Sequence, residues 1–159
     1  MKIQLTVLAI LLSFAISASA QETDLYKSAN VFLNSLDKNQ KTQAQLSFDS
    51  SERYRWNFVP LNDRKGISMN EMSPGQKNAA IALMKSSLSE NAYKKATQIM
   101  ALENVLKAIE KRQESDHYRD PGKYFFTVFG EPSKSLLAVA KSRLLKMSGP
   151  AIGGPGFAV

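Results

Sequence analysis

Apolar residues recur along this chain at two spacings, and each change of spacing marks a new element. Over 24–36, Leu25, Ala29, Phe32, Leu33 and Leu36 fall on one stripe at helical intervals, which predicts a helix with one buried face. Asp37, with Gln40 three residues on, has the pattern of a capping box for a short second helix ending at Ala44. From Leu46 to Pro60 aromatic residues are mixed with charges, and the alternation from Tyr54 to Phe58 predicts a short strand that Pro60 ends. Residues 62–66 then read as a turn.

Ser73, Pro74 and Gln76 give the clearest helix start in the chain. A serine cap, a proline in the first turn where its missing N–H costs nothing, and a glutamine three residues after the cap agree with one another. The helix is expected to reach about Ser87 and to bury Ala80, Leu83, Met84 and Leu88. Ser89 then caps a longer helix to about Arg112, with Ala92, Ala96, Ile99, Leu102, Leu106 and Ile109 as its inner face. Two helices joined this tightly are expected to pack as a hairpin.

Arg119 to Gly122 is a turn, and the aromatic and β-branched run from Tyr124 to Phe129 predicts a strand ended by Gly130 and Pro132. Leu136, Leu137, Ala140, Leu144 and Met147 line one side of a basic amphipathic helix predicted over 134–147. Residues 149–159 hold four of the eight glycines and two of the six prolines, so an irregular tail is expected there. The elements together predict an α+β fold that is mostly α: N-terminal helices and a helical hairpin with one or two short strands.

Residues 1–20 do not fit this domain. Lys2 is followed by an apolar run from Ile3 to Ile16, and Ala18 and Ala20 supply the small residues that a signal peptidase admits, so a cleavable secretion signal is predicted. The run is shorter than the roughly 20 residues needed to span a bilayer, and it is interrupted by Gln4, Thr6 and Ser13. The expected mature chain of 139 residues therefore has no transmembrane anchor and is secreted or periplasmic. It suits one domain, with 21–135 as the α-rich part and 136–159 as a basic helix and tail.

Charge adds a question about partners. The whole chain carries +7, and loss of Lys2 leaves +6. The lysines are scattered and not interleaved with aromatics, so specific nucleic-acid binding is not expected, while an anionic ligand or surface is a candidate partner.

The chemistry in the sequence is mostly absent. His117 is the only histidine and there is no cysteine, so a histidine or thiolate metal site and a Cys–His pair cannot be built within one chain. No serine sits in a G-x-S-x-G setting and no phosphate-cradling glycine loop occurs. No catalytic residue, metal ligand or cofactor is therefore assigned; the chain leans toward a non-enzyme, while catalysis by a pair among its fourteen acids stays open, since nothing in the spacing favours a particular pair.

Two places stand out as ligand-binding candidates. Glu103 falls on the face expected to be buried, where a carboxylate must find a partner or take up a proton; Lys107 and an arginine from 53–64 are the partners considered. Arg53, Arg55 and Trp56, followed by Arg64, place guanidinium forks beside an indole, which suits a carboxylate, phosphate or sugar. The same residues suit a loop pinned to the domain by a buried Trp56.

An ordered set of short motifs runs through the middle of the chain. It comprises Phe48-Asp49, Arg55-Trp56, Phe58-Val59-Pro60, Met72-Ser73-Pro74, Tyr93-Lys94-Lys95-Ala96, Leu102-Glu103, Tyr124-Phe125-Phe126 and Phe129-Gly130 with Pro132-Ser133. Over about Asp24 to Ser135 this set resembles the secreted bacterial family catalogued as domain of unknown function number thirty-five hundred. The resemblance implies longer relatives that continue into Trp-Gly-Trp and Gly-His-His segments. No tryptophan or histidine follows Ser135 here, so any work done by that His pair in relatives is not expected of this chain alone, and a truncated, split or frameshifted gene is one explanation.

Three functions follow. The first is a non-catalytic binding or structural role for an exported soluble protein, with a cleft expected around Trp56 and Arg64. The second is a truncated exported enzyme whose catalytic or metal-binding C-terminal half is missing, with an uncovered apolar face on the helices. The third is adsorption to anionic surfaces through the basic C-terminal helix.

Overall fold

The structure, a computed structural model, describes residues 25–55, 64–132, 145–148 and 157–158. The expected secretion signal and the greater part of the basic helix lie outside the described residues, as does Trp56. The fold is α+β and mostly α. Its helices are α1 (25–35), α2 (Lys38–Ala44), α3 (Pro74–Ser87) and α4 (Glu90–Ile109), and its strands are β1 (Gln45–Leu46), β2 (Ile67–Ser68), β3 (Phe125–Phe129), β4 (Leu145–Ser148) and β5 (Phe157–Ala158).

The predicted stripe on α1 is the buried one: Leu25, Ala29, Phe32, Leu33 and Leu36 all enter the core. Both glutamine capping boxes form. Asp37 Oδ1 accepts from Gln40 N at 2.9 Å while Gln40 Oε1 accepts from Asp37 N at 3.1 Å. Ser73 and Gln76 reciprocate in the same way at the start of α3. The two glutamines then meet: Gln76 Nε2 donates to Gln40 Oε1 at 2.7 Å and to the Ser35 carbonyl at 2.8 Å, and Gln40 Nε2 donates to the Glu71 carbonyl at 2.9 Å. One knot of side-chain amides thus joins the end of α1 to the starts of α2 and α3.

β3 is the centre of the sheet. β4 pairs antiparallel along one edge, with Phe126 opposite Met147 and Val128 opposite Leu145. The other edge is shared by two short strands. β1 runs parallel beside Val128 and Phe129, and β2 runs antiparallel beside Phe125 and Phe126. Phe126 and Val128 face the main core, where the Phe126 ring tilts against that of Phe32 with centroids 6.0 Å apart. Fully burying a side chain of this size stabilises the fold by about 1.5–3 kcal/mol, so this contact fixes α1 to the sheet.

Several expectations are corrected. Leu145–Ser148 is a strand, not the end of a basic helix: Leu145 and Met147 alternate into the core, and β3 offers an edge whose backbone groups need partners. The tail supplies β5, paired to β4. Tyr54 ends a 3-10 turn, Ser51–Tyr54, and most of the strand expected over 54–58 lies outside the described residues. α4 stops three residues before Arg112, because Lys111 takes a left-handed conformation (φ 51°). Arg112 N then donates to the Lys107 carbonyl and Lys111 N to the Ala108 carbonyl, a Schellman ending. The inner face of α4 is also shorter than predicted. Ala96, Met100 and Glu103 are buried, whereas Ile109 is 71% exposed, since beyond Glu103 the helix is neighboured by the polar connection 110–124.

Candidate functional site

The sequence candidates separate into three places. Arg53 belongs to the 3-10 turn, whose first N–H groups are capped by Ser50 Oγ at 3.3 Å. Its guanidinium lies 3.9 Å from the Phe48 ring centroid and 4.8 Å from that of Tyr54. Nη1 donates to the Phe48 carbonyl at 2.7 Å and Nη2 to the Tyr54 hydroxyl. This side chain holds its own loop together and does not line a cleft described below. Arg55 pairs with Glu52 at 3.6 Å, and Trp56 lies outside the described residues.

Arg64 is placed differently. It stands with Lys65 and Gly66 on one wall of a cleft of about 560 Å³, with Thr42 and Gln43 of α2 on another and Ser50 to Glu52 on a third. Gly66 makes this wall possible. Its φ is +110°, and a Cβ there would come within 2.5 Å of Thr127 Oγ1 and 2.7 Å of the Phe126 carbonyl oxygen. The Thr127 hydroxyl donates to the Lys65 carbonyl at 3.1 Å, so the wall is fastened to β3, the central strand of the sheet.

A second cleft of about 480 Å³ adjoins the first, and Thr42 and Leu46 line both. Its basic side comes from Lys38 and Lys41 of α2, and its floor from Ser47 and Gly130. Gln45 Nε2 donates to the Gly130 carbonyl at 2.8 Å and holds β1 against the end of β3. Lys38, Lys41, Thr42 and Gln45 lie on one face of α2 by their spacing. That polar stripe was present in the sequence, but a seven-residue helix offers too few positions to single it out from an ordinary solvated face.

Glu103 is fully enclosed, and neither expected partner meets it. Lys107 turns to Glu114 instead, at 3.4 Å. The Tyr124 hydroxyl donates to Glu103 Oε1 at 3.2 Å, and Arg119 Nη1 lies 3.8 Å from Oε2, too long for a hydrogen bond. Among the described residues no donor reaches Oε2. Burial pushes this carboxyl up from its ordinary value, against the smaller opposing effects of Tyr124 and Arg119. The nearby Glu110 goes the other way, held at about 2 because Arg119 and Arg112 both donate to it. Glu103 lines neither cleft, so the structure does not bring it together with Arg64 or Arg53 in one site.

The model of the family described as "Protein of unknown function (DUF3500)" matches residues 18–138. The chain belongs to this family. The match covers every helix described above, β1 to β3 and both clefts, so the DUF3500 region contains the candidate site and the buried Glu103 alike. Comparison with curated proteins and with solved structures gave no match. Among the described residues no helix is long and apolar enough to cross a membrane, and no three His, Cys, Asp or Glu side chains converge as metal ligands would.

Proposed function

We propose that this is an exported, soluble DUF3500 protein that binds a small anionic ligand, a carboxylate or a phosphate, without transforming it. The observation that carries this reading is the cleft whose lining brings Arg64 and Lys65 together with Thr42, Ser50 and Ser51. A guanidinium supplies directed donors to a planar or tetrahedral anion, and neighbouring hydroxyls satisfy its remaining lone pairs. Isothermal titration of the exported chain with small carboxylates and inorganic phosphate tests it. Binding that falls about tenfold or more in Arg64→Ala, and is partly kept in Arg64→Lys, supports the reading. Equal affinity in all three proteins rejects it. Export itself is read from the N-terminus of the secreted product, expected to begin at Gln21.

A second reading, an exported enzyme completed by a segment beyond this sequence, draws on the exposed Val105 and Ile109 one turn apart on α4. It predicts strong binding of a hydrophobic dye to the folded protein, lost when both residues are replaced by glutamine.

A further inference from the structure

We infer that the connection 110–124 carries a proton-operated latch, in which Arg119 rests on Glu110 while Glu103 holds a proton and is drawn toward Glu103 when that proton leaves. Among the described residues Glu103 is the one carboxyl that the core encloses; the other buried polar side chains, Ser68, Ser87 and Thr127, carry no charge. Its Oε1 accepts from the Tyr124 hydroxyl, and its Oε2 has no donor. Arg119 Nη1 stands 3.8 Å from Oε2, about 1 Å beyond the length of a charge-assisted hydrogen bond. The bonds from Nε and Nη2 to Glu110 Oε1 keep the guanidinium at that distance. For a neutral carboxylic acid this arrangement costs little. For an enclosed carboxylate, one bare oxygen is a heavy penalty, and approach of the guanidinium relieves it.

The surroundings permit both positions. Glu110 keeps a cation when Arg119 moves, because Arg112 Nε also donates to it. The far end of the connection is tied down: Asn70 Nδ2 donates to Asp120 Oδ2 at 2.7 Å, and Asn70 N donates to the Gly122 carbonyl at 3.2 Å. The part left to move is the Arg119 side chain with the stretch 110–119. The groups that act on Glu103 are Arg119 and Asp120 of the connection, Glu110 at the C-cap of α4 and the Tyr124 phenol; the buried side chains that α1, α3 and the sheet bring to the core are apolar or carry hydroxyls. Glu110, held at about 2, stays ionised where Glu103, shifted the other way by burial, takes up its proton, so Glu103 is the member of the pair whose charge changes.

Nuclear magnetic resonance of the exported full chain, followed from about pH 4 to pH 9, tests the latch through two signals, the Glu103 carboxyl carbon and the Arg119 Nε–H. Both are recorded in the unchanged protein and in His117→Gln, because an imidazole changes charge in the same range and His117 Nδ1 lies 3.8 Å from Asp120. The expected result is a Glu103 midpoint above the ordinary carboxyl value and an Arg119 shift with that same midpoint, kept in H117Q. The Arg119 shift should vanish in E103Q. In E110Q, which releases Arg119 from its resting partner, the Glu103 midpoint should fall. A Glu103 midpoint at or below the ordinary value, no Glu103 titration across the range, or an Arg119 signal that stays still while Glu103 titrates overturns the latch. These readouts come from the unchanged protein, so they decide the matter even where E103Q does not fold. An Arg119 shift that persists in folded E103Q, or is lost in H117Q, also overturns it, since another group then drives the movement.

Discussion

Two regions of this molecule gather charge, and they use it in opposite ways. In the connection after α4, the arginines are closed onto carboxylates: Arg119 donates to Glu110 through Nε and Nη2 at 3.1 and 2.7 Å, and Arg112 bridges Glu110 and Asp116. Both guanidinium groups also lie over the Tyr118 ring. Beside α2, Lys38 and Lys41 face a cleft, and among the described residues neither pairs with a carboxylate. The difference shows that a dense cluster of charge can be spent entirely on internal pairing. The denser cluster satisfies itself, and the sparser one is left facing space that a ligand can fill.

The sharpest test of this contrast exchanges stability for binding. Arg119→Ala removes the one cation close to the enclosed Glu103 among the described residues and leaves Glu110 with Arg112 alone. Arg119 itself is largely covered, with a side chain 15% exposed, so a loss of about 2–3 kcal/mol is expected in urea unfolding, below the range for a fully buried pair because Glu103 can take up a proton. Anion binding should be unchanged in that variant. Arg64→Ala should show the reverse, with stability altered by less than about 1 kcal/mol and binding lost. If both variants lose stability equally, the cleft wall is structural and the contrast collapses.

A smaller effect is expected at Gly66. Gly66→Ala places a side chain in the left-handed region and against the Phe126 carbonyl oxygen, which should cost about 1–3 kcal/mol and deform the cleft wall along with it. Melting and titration should therefore fail together in this variant, whereas in Arg64→Ala only titration fails.

The finest test separates two carboxylates that share Arg119. Glu110, held at about 2 against an ordinary 4.5, stabilises the fold above pH 4.5, and that contribution is lost as the pH falls toward 2. Glu103 is shifted upward, so the folded state binds its proton more tightly than the unfolded chain does. Its effect has the opposite sign: stability declines as the pH rises above 4.5 toward the raised value. Urea midpoints measured against pH should show the acid limb flattened in Glu110→Gln and the higher limb flattened in Glu103→Gln. A Glu103→Gln profile parallel to that of the unchanged protein would mean that this carboxyl is ionised in both states.

Much of the fold was legible because its signals are local. The α1 stripe, the Asp37 and Ser73 caps and the Tyr124–Phe129 run each lie within a few residues, and each appears where the pattern puts it. What the sequence hid depends on distant pairing. β1 and β2 have two residues each, too few for a pattern, and exist because β3 offers an edge. Leu145, Lys146, Met147 and Ser148 do alternate, but they sit in a longer run that also fits a helical period, and only the partner strand decides between the two. The candidate site divided along the same line. Glu103 was recognisable as buried, but its cation comes from a later loop, not from Lys107 one turn away. Arg64 was singled out for its company with Trp56, which lies outside the described residues, and the structure places it beside α2.

The amide knot of Gln40 and Gln76 bears on how the chain comes to fold at all. Each glutamine completes its own helix start within three residues and also holds the other's amide, so the two starts are fastened to each other only when segments 36 positions apart have met. The caps form locally, but the side-chain amides that close them are held in place by tertiary assembly, which couples the two helix starts. Peptides covering either helix alone should be weakly helical despite their strong start signals. In the intact chain the two helices should appear and melt as one cooperative unit.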